Sequence, residues 1–187
     1  MDSKSKEIYE YIVRKEDHWC IISFLFILFG LFGAAYVHTI IILVICVITG
    51  GILIIPAIKS PFDAKKKLKG IKSTELFEEL YSDFISGTQF FEDRITVGDT
   101  FVIGAKTNGF VKIADISNVW IHIIRVNGAE TLHEIKVLEN GKECTLGYMT
   151  ATGYKGSDCL TAVKENIVFK DLLSQLLSIN SKIQLGI

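Results

Sequence analysis

Residues 19–58, forty in a row, contain no Lys, Arg, Asp or Glu, although 22% of the 187-residue chain is charged. One membrane-spanning helix needs about 20 apolar residues, so this run has the length for two crossings. Near its middle lies Ala34-Ala35-Tyr36-Val37-His38-Thr39, with the only His of the run. The pattern predicts a transmembrane helical hairpin, Trp19 to Tyr36 leading out and Ile40 to Ile58 leading back.

The cations set the expected orientation. Residues 59–72 hold Lys59, Lys65, Lys66, Lys67, Lys69 and Lys72 against one acid, Asp63, and the N-terminal segment 1–18 holds Lys4, Lys6, Arg14 and Lys15. The turn around His38 has no Lys or Arg. Lys and Arg are retained on the cytoplasmic side, so both ends are expected in the cytosol, with the hairpin in the inner membrane. A cleaved signal peptide is the competing reading, because Gly33-Ala34-Ala35 offers small residues. Against it stand the acids Asp2, Glu7, Glu10, Glu16 and Asp17 and an apolar run that continues well past that site.

Within the hairpin, Gly30 and Ala34 lie four apart, as do Cys46 and Gly50. Each span therefore has a small-residue face that allows close backbone approach, for packing of the two helices on each other or for oligomerisation. Pro56 falls near the cytoplasmic end of the second span, where a kink costs least. Trp19 marks the start of the interface as an aromatic belt residue. With no acid or base inside the spans, a proton relay or ion pathway has no residues to run on.

The basic charge is concentrated beside the expected membrane. Residues 73–187 carry ten Lys or Arg against fifteen Asp or Glu. The six collar lysines are candidates for contact with anionic lipid headgroups, and equally a positive-inside stop signal. An acidic soluble part is a poor nucleic-acid binder. Cys20 and Cys46 fall in the spans, Cys144 and Cys159 in a cytosolic domain where thiols stay reduced, and no CxxC spacing exists for zinc.

Residues 73–187 have the length of one compact domain. Ser73 and Thr74 are N-cap types before Leu76, Phe77, Leu80, Tyr81 and Phe84, one apolar helix face that Gly87 can end. The period then becomes strand-like: 94–97, 100–103, 110–113, 119–126, 132–138 and 143–149, parted by Gly98-Asp99, Thr107-Asn108-Gly109, Asn127-Gly128 and Asn140-Gly141. Strands this short with such brief turns imply an antiparallel meander. From Ser157, the residues Leu160, Val163, Ile167, Val168, Leu172, Leu173, Leu176 and Leu177 predict a long helix that covers the sheet.

A two-span hairpin, a basic collar, short strands with Asp115-Ile-Ser-Asn-Val-Trp120, an Asn-Gly hairpin and a terminal helix before Ile183-Gln184-Leu185-Gly186: this arrangement resembles small bacterial membrane proteins carrying a pleckstrin-homology-like domain. The resemblance covers almost the whole chain in architecture. It implies an α+β membrane protein whose cytosolic part is a seven-stranded antiparallel sheet or barrel capped by a C-terminal helix. The sequence shows six clear strands, and the short Gln89-Phe90-Phe91 stretch is the candidate seventh.

No catalytic signature is present. Gly104-Ala-Lys-Thr-Asn-Gly109 has the glycine spacing of a phosphate loop, but Phe110 and Val111 follow where Lys and Ser or Thr are required. If Asn127-Gly128 and Asn140-Gly141 are two-residue turns with regular strands, His122 lies opposite His133 and Tyr148 opposite His133, a polar row on one sheet face. Two imidazoles fall short of the four ligands zinc takes, so no metal and no cofactor is expected.

Three function classes follow. The first is a non-enzymatic, membrane-anchored interaction module for an unknown protein partner or for homo-oligomerisation. The second is an immunity or stress-protection protein acting through its hairpin, or a small accessory subunit of a larger membrane complex. An enzyme is the least supported, because no nucleophile, base and oxyanion set can be assembled.

Overall fold

Successive residues of a strand point to opposite faces of the sheet, yet all four residues of the strand Phe101–Gly104 are buried. The computed structural model explains this with helices packed on one face of the sheet and a second sheet on the other. It describes residues 2–13, 17–37, 40–71, 75–107, 109–126, 129–149 and 166–186. In chain order these form α1 (Ser3–Ile12), α2 (Asp17–Val37), α3 (Ile40–Ile71), α4 (Glu75–Ser86), β1 (Thr88–Phe90), β2 (Ile95–Val97), β3 (Phe101–Gly104) and β4 (Gly109–Lys112). A 3-10 turn (Ile113–Asp115) leads to β5 (Ile116–Val126), β6 (Ala129–Glu139), β7 (Lys142–Met149), α5 (Ile167–Ile179) and β8 (Gln184–Leu185).

The architecture is α+β, with eight strands in two sheets among the described residues. The first sheet is the meander β1-β2-β3-β4; the second has the order β7-β6-β5-β8, with β8 parallel to β5 and all other pairs antiparallel. β1 occupies the place of the candidate seventh strand. β8 was not foreseen: two residues are too short for a periodic signal, and it is fixed by Asn118 Nδ2 donating to Gly186 O at 2.9 Å and Gly186 N donating to Val119 O at 2.9 Å.

Two apolar cores lie on opposite faces of the first sheet. Val102 and Val111 join Val119, Ile121, Ile135, Val137, Leu146 and the α5 residues Phe169, Leu172 and Leu176 in the core between the sheets. Their strand neighbours Phe101, Ile103 and Phe110 point the other way, into a core with Ile8 and Ile12 of α1, Ala64 and Leu68 of α3, and Phe77 and Leu80 of α4. A sheet covered on both faces reads as continuous apolar runs. Close approach of β3 to β7 depends on Gly104, where a Cβ would overlap Leu146 O.

α4 begins with Glu75 and Glu78 in its first turn, which suit the positive end of the helix dipole, and ends where Gly87 N donates to Asp83 O at 2.9 Å. Its Asp83 is buried and accepts three backbone N–H bonds of the β2–β3 turn, from Asp99 (3.1 Å), Thr100 (2.9 Å) and Phe101 (2.7 Å). At the two ends of α5, Asn166 caps the helix by accepting from Phe169 N, and Asn180 Nδ2 donates to Ile113 O and Ile116 O.

Two sequence expectations change. The N-terminal segment contains a helix, α1, capped by Asp2 accepting from Ser5 N at 2.8 Å, and it packs into the second core. The collar is helical as well: α3 runs unbroken through Pro56 and Pro61 to Ile71. Ser73, Thr74, Lys72, the Asn127-Gly128 turn, His38 and the 157–165 portion of the expected C-terminal helix lie outside the described residues.

Candidate membrane-facing surface

α2 and α3 pack as an antiparallel pair through the small residues. A Cβ on Gly30 would lie 2.6 Å from Cys46 Cβ, and one on Gly50 would lie 3.0 Å from Ile27 Cγ1 and 3.1 Å from Ser23 O. Ser23 Oγ donates to Gly50 O at 2.6 Å, so the one buried hydroxyl of this contact is satisfied across the helices. The side chains of Ala34 and Trp19 lie outside the described residues.

Away from that contact the pair is covered in exposed apolar side chains. On α2 these include Ile21, Phe24, Leu25, Phe29 (74% exposed) and Phe32 (73%). On α3, Ile41, Ile45, Ile48, Ile52 and Ile55 are exposed at alternating four- and three-residue steps, one line along the helix. Exposed apolar side chains gathered in this way mark a surface for membrane or protein contact. Among the described residues no helix is long and apolar enough to cross a membrane. The fully described apolar blocks, 21–32 and 43–52, are each shorter than the about 20 residues of a span, and the two crossings expected from sequence are not established by them.

The line of isoleucines continues into the collar without a change of direction. Lys59, Phe62 (65% exposed), Lys66 and Lys69 extend it at the same steps, with Lys65 exposed beside them. Ala64 and Leu68 face the opposite way and are buried. Lys67 is turned inward as well: its Nζ donates to Phe110 O at 2.5 Å, lies 4.9 Å from the centre of the Phe110 ring and 3.8 Å from Glu139 Oε2. Beside it Cys144 Sγ lies 3.6 Å from the same Glu139 oxygen, and burial pushes its thiol above the ordinary range while the Lys67 charge opposes the shift. The described collar lysines are thus not equivalent.

The polar row is corrected. His122 pairs with Glu134, and Glu134 with Tyr148; His133 pairs with Ile123 and Met149 and is fully buried, whereas His122 is exposed. The residues flanking both turns pair as two-residue turns require, Val126 with Ala129 and Glu139 with Lys142. Between those turns and the histidine row an extra residue, Thr131 in β6 and Leu146 in β7, then forms a bulge, and a one-residue shift moves every later side chain to the other face. No cluster of His, Cys, Asp or Glu fit to hold a metal occurs among the described residues.

A further feature has no counterpart in the sequence reading. Phe91, Glu92 and Asp93, between β1 and β2, all have positive φ (55°, 56° and 63°), a left-handed turn of three non-glycine residues. Such residues cost about 1 kcal/mol each or more and persist only when the surroundings hold them. Here Arg94 N donates to Phe90 O, and Tyr11 of α1 donates its hydroxyl to Asp93 O at 2.7 Å and lies 3.1 Å from Thr96 Oγ1. The turn borders a cavity of about 270 Å³ lined by Phe91, Glu92, Arg94, Tyr148, Asn166 and Val168. Arg94 and Glu92 pair there at 3.6 Å. The sequence signal was the pair Glu92-Asp93 after two aromatics, since Asp tolerates the left-handed region better than most residues.

No family model, curated protein or solved structure matches this chain. Function therefore rests on the surface itself.

Proposed function

We propose that α2 and α3 insert in a membrane as a two-span hairpin and hold the α+β domain at its cytoplasmic face, where it acts as a non-enzymatic interaction module for protein partners or for copies of itself. The observation that carries this is the exposed apolar belt leading, within one unbroken helix, into a cationic segment docked on the domain. α2 has 21 residues and so rises about 31 Å, close to the about 30 Å hydrocarbon core of a bilayer. Cations at the domain end of α3 agree with a cytosolic domain.

Two sheets with a C-terminal helix packed into the core between them agree with a pleckstrin-homology-like domain, to which the first-sheet meander and the β5-β6-β7 meander correspond. Fold likeness alone assigns no ligand. Alkaline carbonate washing of native membranes tests the anchoring: the chain should stay in the pellet, and protease should remove the domain only in inside-out vesicles. Release into the wash would overturn it. Affinity purification of the intact protein in mild detergent, with mass spectrometry, should then return a reproducible partner or a defined homo-oligomer.

A further inference from the structure

The outer line of α3 changes chemistry at Lys59 while its geometry stays the same. Ile52 and Ile55 give way to Lys59, Phe62, Lys66 and Lys69, all exposed, with Lys65 alongside and Asp63 the only acid of the segment. The other side of the same turns is fixed in the domain by Ala64, Leu68 and Lys67. Docking therefore sets the rotation of the helix, and the basic face cannot turn inward without emptying the second core.

We infer that this face binds the anionic headgroups of the bilayer, with Lys59 and Lys66 reaching lipid phosphates on either side of Phe62. The inference rests on the membrane insertion proposed above. Lys59 and Lys66 are seven residues apart, about 10 Å along the axis, and lysine stems extend toward the interface while keeping the ammonium in the headgroup layer. Attraction to an anionic surface falls off within a Debye length, about 8 Å at physiological salt, and helical side chains lean toward the helix N-terminus, here the apolar end, so the Lys66 stem extends back toward that surface. Phe62 supplies an apolar ring at the level where aromatic residues anchor helices. Lys67 takes no part, because Phe110 and Glu139 already hold its ammonium. A symmetric contact between two copies along this line would set Lys59, Lys66 and Lys69 against their own counterparts, which disfavours that occupant.

The test uses the full chain in mixed micelles with equal phosphatidylglycerol and phosphatidylcholine, with retained lipids counted by native mass spectrometry. Wild type should retain phosphatidylglycerol several-fold over phosphatidylcholine, the more so at low salt. The triple variant Lys59→Gln/Lys66→Gln/Lys69→Gln should fall to parity with an unchanged melting curve, since all three side chains are exposed. Lys67→Gln should keep the preference. Equal retention by wild type, an unchanged triple variant, or the same loss in Lys67→Gln would overturn the inference, as would loss of a dimer in the triple variant with no change in lipid. Retention of no lipid of either kind sinks the membrane insertion itself, a separate outcome.

Discussion

Tyr11 of α1 and Asp93 of the β1–β2 turn are 82 positions apart in sequence and joined by a 2.7 Å hydrogen bond from the phenol to the backbone carbonyl. Lys106 N, in the β3–β4 turn, donates to Tyr11 O at 3.0 Å. One residue of the N-terminal helix thus ties down two turns of the first sheet.

Burial pushes the Tyr11 hydroxyl above its ordinary value, partly opposed by its hydrogen bond to Thr96. A raised folded value means that the neutral phenol is favoured, so its contribution is fully present below about pH 10 and is lost as pH rises through the folded value. Tyr11→Phe should cost about 1 kcal/mol at neutral pH and flatten the alkaline fall in stability. Unfolding followed by near-UV circular dichroism between pH 8 and 11 checks both; an alkaline slope unchanged in the variant would rule Tyr11 out as its source.

Asp83 should be the costliest polar side chain to remove. Asp83→Ala strands the three N–H groups of Asp99, Thr100 and Phe101, a loss of about 3 kcal/mol, which lowers Tm by about 6–12 °C in a chain of this size. Gly98→Ala should act at the same point, because a Cβ there would overlap the Asp83 carboxyl. Thermal melts within 2 °C of wild type would show that the turn satisfies itself another way.

Between the two apolar helices, Gly30→Val should force α2 and α3 apart and break the Ser23–Gly50 hydrogen bond, at about 1–3 kcal/mol. Gly51 is the control, since nothing lies within 4 Å of a Cβ built there. Resistance of the hairpin to denaturing detergent should fall for Gly30→Val and hold for Gly51→Ala; equal behaviour would remove Gly30 from the contact.

Cys144 should alkylate slowly. Its thiol is raised chiefly by burial, so the midpoint of its iodoacetamide rate profile should lie above the about 8.5 of a free cysteine, read by peptide mapping. A midpoint at or below that value would mean that Lys67 outweighs burial.

Much of the fold could be read from local pattern, and the exceptions have one cause. Runs such as Phe101–Ile103 declared strands, and Leu172, Leu173 and Leu176 declared a helix face, because each is set by its own periodicity. α1 was missed although Asp2 and the pair Ile8, Ile12 were visible, since a short amphipathic helix gains its stability from the core it joins. The His122–His133 pairing failed through a bulge at Thr131 and the His133–Tyr148 pairing through one at Leu146, neither of which a turn rule announces. Among the collar lysines, composition marked all alike, and only the docking of α3 separates Lys67 from its neighbours.

α3 counts as one rod of 32 residues, about 48 Å from end to end. Its far third is bolted into the same core that holds β3, β4, α1 and α4, and no turn interrupts the helix between that third and the apolar part. Tilting the rod by ten degrees about its apolar end would sweep Ile71 sideways by about 8 Å. Under the insertion proposed above, bilayer thickness or a neighbour that leans on the hairpin would be read out as a change in the attitude of the domain.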